Sequence, residues 1–305
     1  KNPVIAASGT FGYGREYAGL TDVTALGAVC AKGVTLEGSA GNGGVRLHET
    51  PGGLINSIGL ENPGIAHFTA HELPDLLSYI AANTPEGQGR CRCIANLAGS
   101  SVESYVLGAR LLDTSPVDAI ELNISCPNVK HGGMSFGLAP GDAAAVTAAV
   151  RAATAKPLIV KLSPNAPDIV SVAHAVGEAG ADALSLINTI QALAIDLETG
   201  RPVFDAVYAG LSGPAIKPIA LRMVYDVVRS MKALPRDRRI PVIGIGGIAS
   251  WQDAAEFLLA GAAAIEVGAA TFANPRAMEE IITGLRSYMV RRGFASVDAM
   301  GQANA

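Results

Sequence analysis

Charge and cysteine are both scarce in this chain of 305 residues. Charged side chains make up 16% of the sequence and the formal net charge is −4, so the basic surface that attracts nucleic acids or anionic membranes is missing. Apolar runs stay well short of the roughly 20 residues that a membrane-spanning helix needs, and no secretory signal is visible. The composition predicts a cytoplasmic protein with neither a nucleic-acid nor a membrane partner.

Four cysteines are too few for a disulfide framework in a chain of this length. Cys91 and Cys93 have a spacing typical of neither zinc nor dithiol redox motifs, and the whole set matches no iron–sulfur pattern. We therefore predict no metal site. Cys30, Cys91 and Cys93 are expected to fill small spaces in strands, whereas the position of Cys126 suggests a different role.

Short β-type runs alternate with helical patterns along the whole chain. Eight such units in a sequence that is 49% apolar predict a (β/α)₈ TIM barrel, with an open doubly wound sheet as the alternative. No shift in composition marks a boundary, so residues 1–305 are expected to form a single domain. The predicted strands are Pro3–Ser8, Ala28–Gly33, Cys91–Leu97, Ala119–Ser125, Pro157–Ser163, Ala183–Asn188, Pro241–Gly247 and Ala264–Gly268.

Two connections are too long for simple turns between a strand and a helix. They span Val34–Leu60 and Ile190–Gly213, after the second and sixth predicted strands. On a barrel they are expected to fold over the C-terminal mouth as lid insertions or a pocket wall. The segment around Asn56 is rich in turn formers and amides, which suit a planar heterocycle with C=O and N–H edges.

Apolar periodicity predicts the helices. A stripe at i, i+3, i+4, i+7 runs from Ile169 to Val176. Ser250 is a predicted N-cap for a helix over Trp251–Leu259, and the last helix is predicted over Pro275–Arg292. A further predicted face comprises Ile216, Ile219, Ala220, Met223 and Val227.

Polar residues and glycines close the predicted strands, at the edge where the carboxyl ends of parallel strands meet. Burying an unpaired amide or ammonium costs several kcal/mol, so their convergence on one mouth indicates a polar ligand. Taken singly, each lysine could be a rim charge and each asparagine a turn cap. These residues are Ser8, Lys32, Asn96, Asn123 with Cys126, Lys161, Asn188 with Thr189, Gly246 with Gly247, and Gly268.

Cys126 is the candidate reactive group. The run Ala119–Ser125 ends at this cysteine, and Pro127 with Gly132 and Gly133 prevents the strand from continuing. A thiol is thus presented at the C-terminal end of a strand, where ligands of parallel α/β proteins bind. A buried structural thiol is the alternative.

Glycines after the last two strands predict a phosphate site. Gly246–Gly247 and Gly268–Ala269 let backbone N–H groups approach an anion, in the loops where barrels commonly hold phosphate. The rival is a dinucleotide fingerprint made by Gly244, Gly246 and Ala249, with Glu266 at a plausible distance for a ribose. Its position in the last two of eight units favours the phosphate of a mononucleotide.

Lys161 is a lone cation in an apolar run. We expect it to meet negative charge at the barrel mouth, where it would stabilise the anionic N1–C2=O edge of a reduced flavin and favour hydride acceptance. A structural ion pair is the alternative.

In their order along the chain, these motifs resemble the class 1B dihydroorotate dehydrogenases, from Asn2-Pro3 through the final helix. The most specific segment is Asn123–Lys130 (NISCPNVK), followed by Gly132-Gly133; quinone-linked class 2 enzymes carry serine where Cys126 stands. Supporting segments are Ala7–Gly12, Ala31–Gly33, Asn56–Leu60, Asn96–Gly99, Val160–Leu162, Ile187–Thr189, Leu211–Pro214 and Gly246–Ile248.

The resemblance implies an FMN across the barrel mouth with dihydroorotate beside it. The FMN phosphate would lie on Gly246, Gly247, Gly268 and Ala269, the last a departure from the family's usual threonine. The rest of the cofactor would be surrounded by Ser8, Lys32, Gly33, Asn96, Asn123, Lys161, Ile187 and Gly213. The substrate would be held by Lys32, Asn56, Ser57, Ile58, Gly59, Leu60, Asn123, Asn188 and Thr189.

The resemblance also implies the reaction, an oxidation of dihydroorotate to orotate in pyrimidine biosynthesis. The Cys126 thiolate would remove the C5 proton while hydride passes from C6 to FMN N5. A free thiol has a pKa of about 8.5, so activity is expected to rise through mildly alkaline pH unless Lys32 or Lys130 lowers that value. Electrons would pass to an iron–sulfur flavoprotein subunit carrying FAD and a 2Fe–2S cluster, and then to NAD⁺, in a heterotetramer built on a homodimer of this chain.

Three other functions remain open on the sequence. The nearest is the pyrimidine-reducing subunit of a dihydropyrimidine dehydrogenase, which shares the FMN barrel and the cysteine. Another is a flavin-free barrel with a nucleophilic cysteine, resembling inosine monophosphate dehydrogenase; such a protein would be colourless. The last is a catalytically inactive binding scaffold, which the converging strand ends disfavour.

Overall fold

Eight short parallel strands form a closed barrel in the computed structural model, which describes residues 1–125 and 136–302. The expected (β/α)₈ architecture is therefore confirmed, and the open sheet is excluded. Each strand lies inside its predicted run but is shorter. In the order of their hydrogen-bonded neighbours they are β1 (Val4–Ala6), β12 (Ala264–Val267), β11 (Val242–Ile245), β8 (Ala183–Leu186), β7 (Leu158–Lys161), β6 (Ala119–Asn123), β5 (Arg92–Leu97) and β2 (Ala28–Cys30).

Helices surround the barrel. The first, α1, continues through a π-helical turn over Phe68–Glu72 into α2. The helices are α1 (Ile65–His67), α2 (Leu73–Asn83), α3 (Val102–Asp113), α4 (Pro140–Arg151), α5 (Ile169–Glu178), α6 (Lys217–Ala233), α7 (Trp251–Leu259), α8 (Ala270–Ala273), α9 (Ala277–Arg292) and α10 (Val297–Gln302). No helix in the described part of the chain is long and apolar enough to cross a membrane.

The interior of the barrel is layered because side chains alternate between the two faces of each strand. The bottom layer is apolar and contains Ile5, Ala28, Ile94, Ala119, Ile159 and Ile243. Two residues further along the strands comes a second layer, which is mostly polar. We call the following six buried residues the polar layer: Cys30, Asn96, Glu121, Lys161, Ser185 and Glu266.

The two long connections meet in a second sheet. Its strands are β3 (Leu47–Thr50) and β4 (Gly53–Asn56) from the first connection, with β9 (Ile190–Ala192) and β10 (Ala209–Ser212) from the second. The order is β3-β4-β10-β9, and all pairings are antiparallel. Residues of both connections line the cavity described below, as expected of a pocket wall.

The predicted helices are largely confirmed. Ile169 to Val176 form a buried stripe, and Ser250 caps α7 through a capping box with Asp253. The predicted face of α6 was partly wrong, because Ile216 lies in a preceding 3₁₀ turn and the α-helical phase starts at Lys217. Ile219 is consequently exposed. The residues of α6 that are buried are Ala220, Val224, Val227, Val228 and Met231.

Candidate active site

A cavity of about 470 Å³ lies at the carboxyl ends of the barrel strands. Its size is in the range of small-molecule and cofactor sites. The second sheet contributes residues such as Leu54 and Ser212, and the barrel strands contribute the floor. This is the mouth at which the sequence predicted a polar ligand.

All residues predicted to bind the cofactor line this one cavity. Their side chains come from all parts of the chain, so only the closed barrel brings them together. They are Ser8, Lys32, Gly33, Asn96, Asn123, Lys161, Ile187, Gly213, Gly246, Gly247, Gly268 and Ala269.

The residues predicted to bind substrate line the same cavity, with one exception. Ser57 is buried, and its hydroxyl accepts a hydrogen bond from the Asn42 amide at 3.0 Å instead. The Asn56 amide donates to the carbonyl of Gly210 at 3.1 Å, which ties this side chain to β10. The lining members are Lys32, Asn56, Ile58, Gly59, Leu60, Asn123, Asn188 and Thr189.

Cys126 lies outside the described residues, as do Pro127, Lys130 and the glycine pair after them. The residue before it is well ordered by hydrogen bonds. The Ser125 hydroxyl donates to Asn123 Oδ1 at 2.7 Å and accepts from Asn188 Nδ2 at 2.5 Å. The ends of β6 and β8 therefore jointly hold the backbone from which residue 126 continues.

Lys161 is not the lone cation that the sequence suggested. It is 5% exposed, and its Nζ lies 3.4 Å from Glu121 and 3.8 Å from Glu266. Burial lowers the pKa of Lys161, but these two carboxyl groups outweigh burial and raise it above its usual range. Lys161 thus forms the structural ion pair, and it also lines the cavity. Glu266 is 1% exposed in the barrel interior beside it. This burial leaves its carboxyl group little surface for a ribose and argues against a dinucleotide fingerprint.

Glu121 is the best-bonded group of the polar layer. Its carboxylate accepts from Asn96 Nδ2 at 2.6 Å, from Ser185 Oγ at 2.7 Å and from Lys161 Nζ. Burial raises its pKa, but the charge of Lys161 and the two neutral donors outweigh burial and lower it. These contacts favour the ionised form of Glu121.

Glu266 is in a contrasting environment. Neither of its carboxyl oxygens has a hydrogen-bond donor among the described residues. Burial and the nearby charge of Glu121 raise its pKa well above the usual range. The Cys30 thiol donates to Glu121 at 3.3 Å, and burial together with the two carboxyl groups raises its pKa well above the usual range, which favours the neutral thiol.

Several glycines shape the cavity wall by close approach. Gly246 and Gly247 have φ of +125° and +72°, and a Cβ on Gly247 would lie 2.6 Å from the backbone nitrogen of Lys217. A Cβ on Gly213, whose φ is +99°, would lie 2.6 Å from the Cα of Gly53. Larger side chains would displace the wall at each of these positions.

Two polar groups of the cavity have unused bonding capacity. Asn96 Oδ1 is buried and has no hydrogen-bond partner in the described ranges. The Lys32 ammonium forms no ion pair or hydrogen bond with any described residue. Unpaired groups of this kind lining a cavity indicate that a polar ligand completes them.

Sequence reasoning missed Ser125, Glu121 and Ser185 as parts of the site. The signal for the polar layer was present: each of its members lies two residues after a small or apolar residue that faces the barrel axis. Cys30, Cys91 and Cys93 are buried free thiols, as predicted.

Comparison with known proteins yields one consistent result. The sequence model of the family described as dihydroorotate dehydrogenase matches residues 1–289. The chain is 52% identical over 301 residues to the protein of Trichlorobacter lovleyi named dihydroorotate dehydrogenase B (NAD(+)), catalytic subunit, covering 98% of this chain and 93% of that one. Proteins of the same name are 50% identical in Petrotoga mobilis (98% and 94% covered) and in Caldicellulosiruptor bescii (100% and 96% covered).

Proposed function

The chain belongs to the dihydroorotate dehydrogenase family, and from that premise we propose that it oxidises dihydroorotate to orotate as the FMN-containing catalytic subunit of an NAD⁺-linked enzyme. The observation that carries the proposal is the single cavity in which the predicted cofactor and substrate residues meet. The relatives, about 50% identical, are named as catalytic subunits of an NAD⁺-linked dehydrogenase, which supports both the activity and the existence of a partner.

The residues of the cavity fit an FMN. Gly246, Gly247 and Gly268 line the cavity, and glycines let backbone N–H groups approach an anion such as phosphate. Asn96 Oδ1 is an unpaired acceptor that an N–H of the ring system would satisfy. Lys161 presents a cation to the cavity floor, beside which the N1–C2=O edge would lie. When bound, FMN supplies the acceptor for the hydride that leaves C6 of the substrate.

The substrate carries a carboxylate and a ring with C=O and N–H groups. The unpaired Lys32 ammonium suits the carboxylate, and the amides of Asn56, Asn123 and Asn188 suit the ring. A site built on hydrogen bonds rejects a substrate that lacks a matching group by about 10⁴-fold or more. Dihydrouracil has the same ring groups but no carboxylate, so it would leave the Lys32 ammonium unpaired. This supports selection of dihydroorotate over dihydrouracil.

Cys126 is proposed as the base that removes the C5 proton. It follows Ser125 directly, and Ser125 is held by Asn123 and Asn188, two of the proposed substrate residues. The same hydrogen bonds that position the substrate amides therefore also position the backbone that carries the thiol. As C5 loses its proton to sulfur and C6 loses hydride, the C5=C6 double bond of orotate forms.

Electrons are proposed to leave through an iron–sulfur flavoprotein subunit carrying FAD and a 2Fe–2S cluster. In the described residues, the one group of cysteine and carboxylate ligands close enough to share a metal is Cys30, Glu121 and Glu266. A group with one cysteine does not match the ligand set of such a cluster. The cluster is therefore assigned to a partner, and a homodimer of this chain with one partner per subunit is proposed, testable by sedimentation of the isolated and co-expressed proteins.

The test is anaerobic addition of dihydroorotate to the purified protein, observed in the visible spectrum. The yellow flavin absorbance should bleach, and the rate should rise with pH as the thiol ionises near pH 8.5. Cys126→Ser should retain FMN and substrate binding but bleach about 10²–10⁴-fold more slowly. Cys91→Ala is the matched control, because this buried thiol directly precedes β5, at the amino-terminal end of the strand and outside the cavity lining, and the substitution should leave the rate unchanged.

A colourless protein would contradict the proposed cofactor. A yellow protein that dihydrouracil bleaches and dihydroorotate does not would contradict the proposed substrate. An unimpaired Cys126→Ser variant would contradict the proposed base.

A further inference from the structure

The polar layer beneath the cavity contains two carboxyl groups but a single cation. Glu121 and Glu266 are 0% and 1% exposed, and Lys161 lies between them. We propose that Glu266 is held as a neutral carboxylic acid that donates its proton to Glu121, so that the polar layer carries no net charge and sets the reduction potential of the cofactor above it. The effect on the reduction potential rests on the proposed function, whereas the neutral state of Glu266 does not.

Hydrogen bonding distinguishes the two carboxyl groups. Glu121 receives bonds from Asn96, Ser185 and Lys161, which satisfy an ionised carboxylate. Glu266 receives none from the described residues, and Lys161 is farther from it, at 3.8 Å. An ionised carboxylate without donors in a buried site is costly, and such groups keep their proton instead.

Protonation also gives Glu266 a partner. The nearest polar atoms of Glu121, Glu266 and Cys30 lie within 4.8 Å of one another. A proton on Glu266 turns one of its orphaned oxygens into a donor facing the Glu121 carboxylate. Two carboxyl groups this close share one proton more readily than they both ionise.

The charge balance follows from this proton. With both carboxylates ionised, the layer would carry −1; with Glu266 neutral, Glu121 and Lys161 cancel and the layer carries 0. The groups that face Glu266 are Lys161 on β7, Glu121 on β6 and the neutral Cys30 thiol on β2. Because Lys161 and Glu266 line the cavity floor, the charge of this layer acts directly on whatever binds there.

Two isosteric substitutions test whether Glu266 is neutral or ionised. Glu121→Gln, made in the Glu266→Gln background so that Glu266 cannot ionise in its place, removes a real negative charge, so the midpoint potential of bound FMN should rise by about 30 mV or more relative to Glu266→Gln, equal to a tenfold gain in the preference for the reduced form. Glu266→Gln replaces one neutral donor by another and should change that preference less than about twofold. Glu103→Gln, on the exposed face of α3, is the control and should leave the potential unchanged.

A rise of the potential in Glu266→Gln as large as the further rise that Glu121→Gln adds to it would overturn the proposal, because it would mean that Glu266 is ionised. A potential unchanged in both variants would overturn the claim that this layer tunes the cofactor.

A second measurement needs no cofactor and remains available if Glu121→Gln does not fold. Glu266 keeps its proton when folded but releases it above about pH 4.3 when unfolded. The unfolding equilibrium constant of the wild type should therefore rise relative to that of Glu266→Gln, by up to tenfold per pH unit above that value. A ratio independent of pH would overturn the neutral acid.

The two proposals fail in different ways. A protein that binds no FMN, or whose FMN dihydroorotate does not reduce, refutes the proposed function while the unfolding experiment still tests Glu266. A protein that turns over dihydroorotate normally, with equal shifts in both variants, refutes only the role of Glu266.

Discussion

At the scale of single residues, Ala269 is one position where the resemblance implies a departure from the family. The family usually has threonine there, and the nearby Thr271 cannot replace the missing hydroxyl. Its Oγ1 already donates to the carbonyl of Gly268 at 2.9 Å and contacts the carbonyl of Thr10 at 3.2 Å. The proposed phosphate is left with backbone donors.

We therefore predict that Ala269→Thr tightens FMN binding by about tenfold, since a hydrogen bond to a charged group contributes about 1.5–3 kcal/mol. Ala269→Val is the matched control, because it adds the same bulk without the hydroxyl. Dissociation constants measured by fluorescence titration of the apoprotein would check this. Equal affinities for the threonine and valine variants would contradict a hydroxyl–phosphate contact.

Most residues of the cavity could be predicted from the sequence, because a residue that closes a parallel strand points to a known edge. Lys32, Asn96 and Asn123 all line the cavity for this reason. Glu121 could not be found in this way, since it lies inside a strand and its role depends on Lys161 and Ser185 from other strands. How far below the cavity a side chain lies depends on how the strands are arranged in the closed barrel, and no single segment of the sequence shows this.

At the scale of elements, the turn after β11 is packed directly against the start of α6. Gly247 lies against the Lys217 backbone, and Lys217 in turn pairs with Asp253 at 2.7 Å and with Glu256 at 3.0 Å on α7. The proposed phosphate loop therefore packs against α6, and ion pairs in turn hold α6 to α7.

Gly247→Ala should destabilise the protein by about 1–3 kcal/mol, because its φ is +72° and the added Cβ meets backbone that cannot move freely. FMN affinity should fall with it. Gly141→Ala in α4 is the matched control; its Cβ would meet nothing within 4 Å, and a change of only about 0.5–1 kcal/mol toward greater stability is expected. Urea unfolding of the apoproteins measures both. Similar urea midpoints for the two variants would contradict the tight packing of this loop against α6.

The second sheet illustrates what the sequence could not provide at this scale. Both long connections were predicted to be insertions, and residues of both line the cavity, but their four strands were not predicted. Each strand is only three or four residues long, and β4 pairs with β10, more than 150 positions away. Pairing between such distant segments leaves no local pattern to recognise.

At the scale of the whole molecule, the proposed reaction divides between two proteins. The isolated chain should be reduced rapidly by dihydroorotate but should reduce NAD⁺ at least about 100-fold more slowly, and adding the iron–sulfur flavoprotein subunit should restore the rate. NADH formation followed at its absorbance band measures this, with an artificial dye acceptor as the control for an active flavin. Full NAD⁺ reduction by the chain alone would contradict the proposed partner.

The pairing of β4 with β10 has a mechanical consequence. Backbone hydrogen bonds join residues 54–56 of the first long connection to residues 210–212 of the second, so the two connections cannot move independently while these bonds are intact. If one connection moves away from the cavity, it must either take the other connection with it or break the hydrogen bonds between β4 and β10. A substitution that weakens these hydrogen bonds in either connection is therefore expected to affect the position of the other as well.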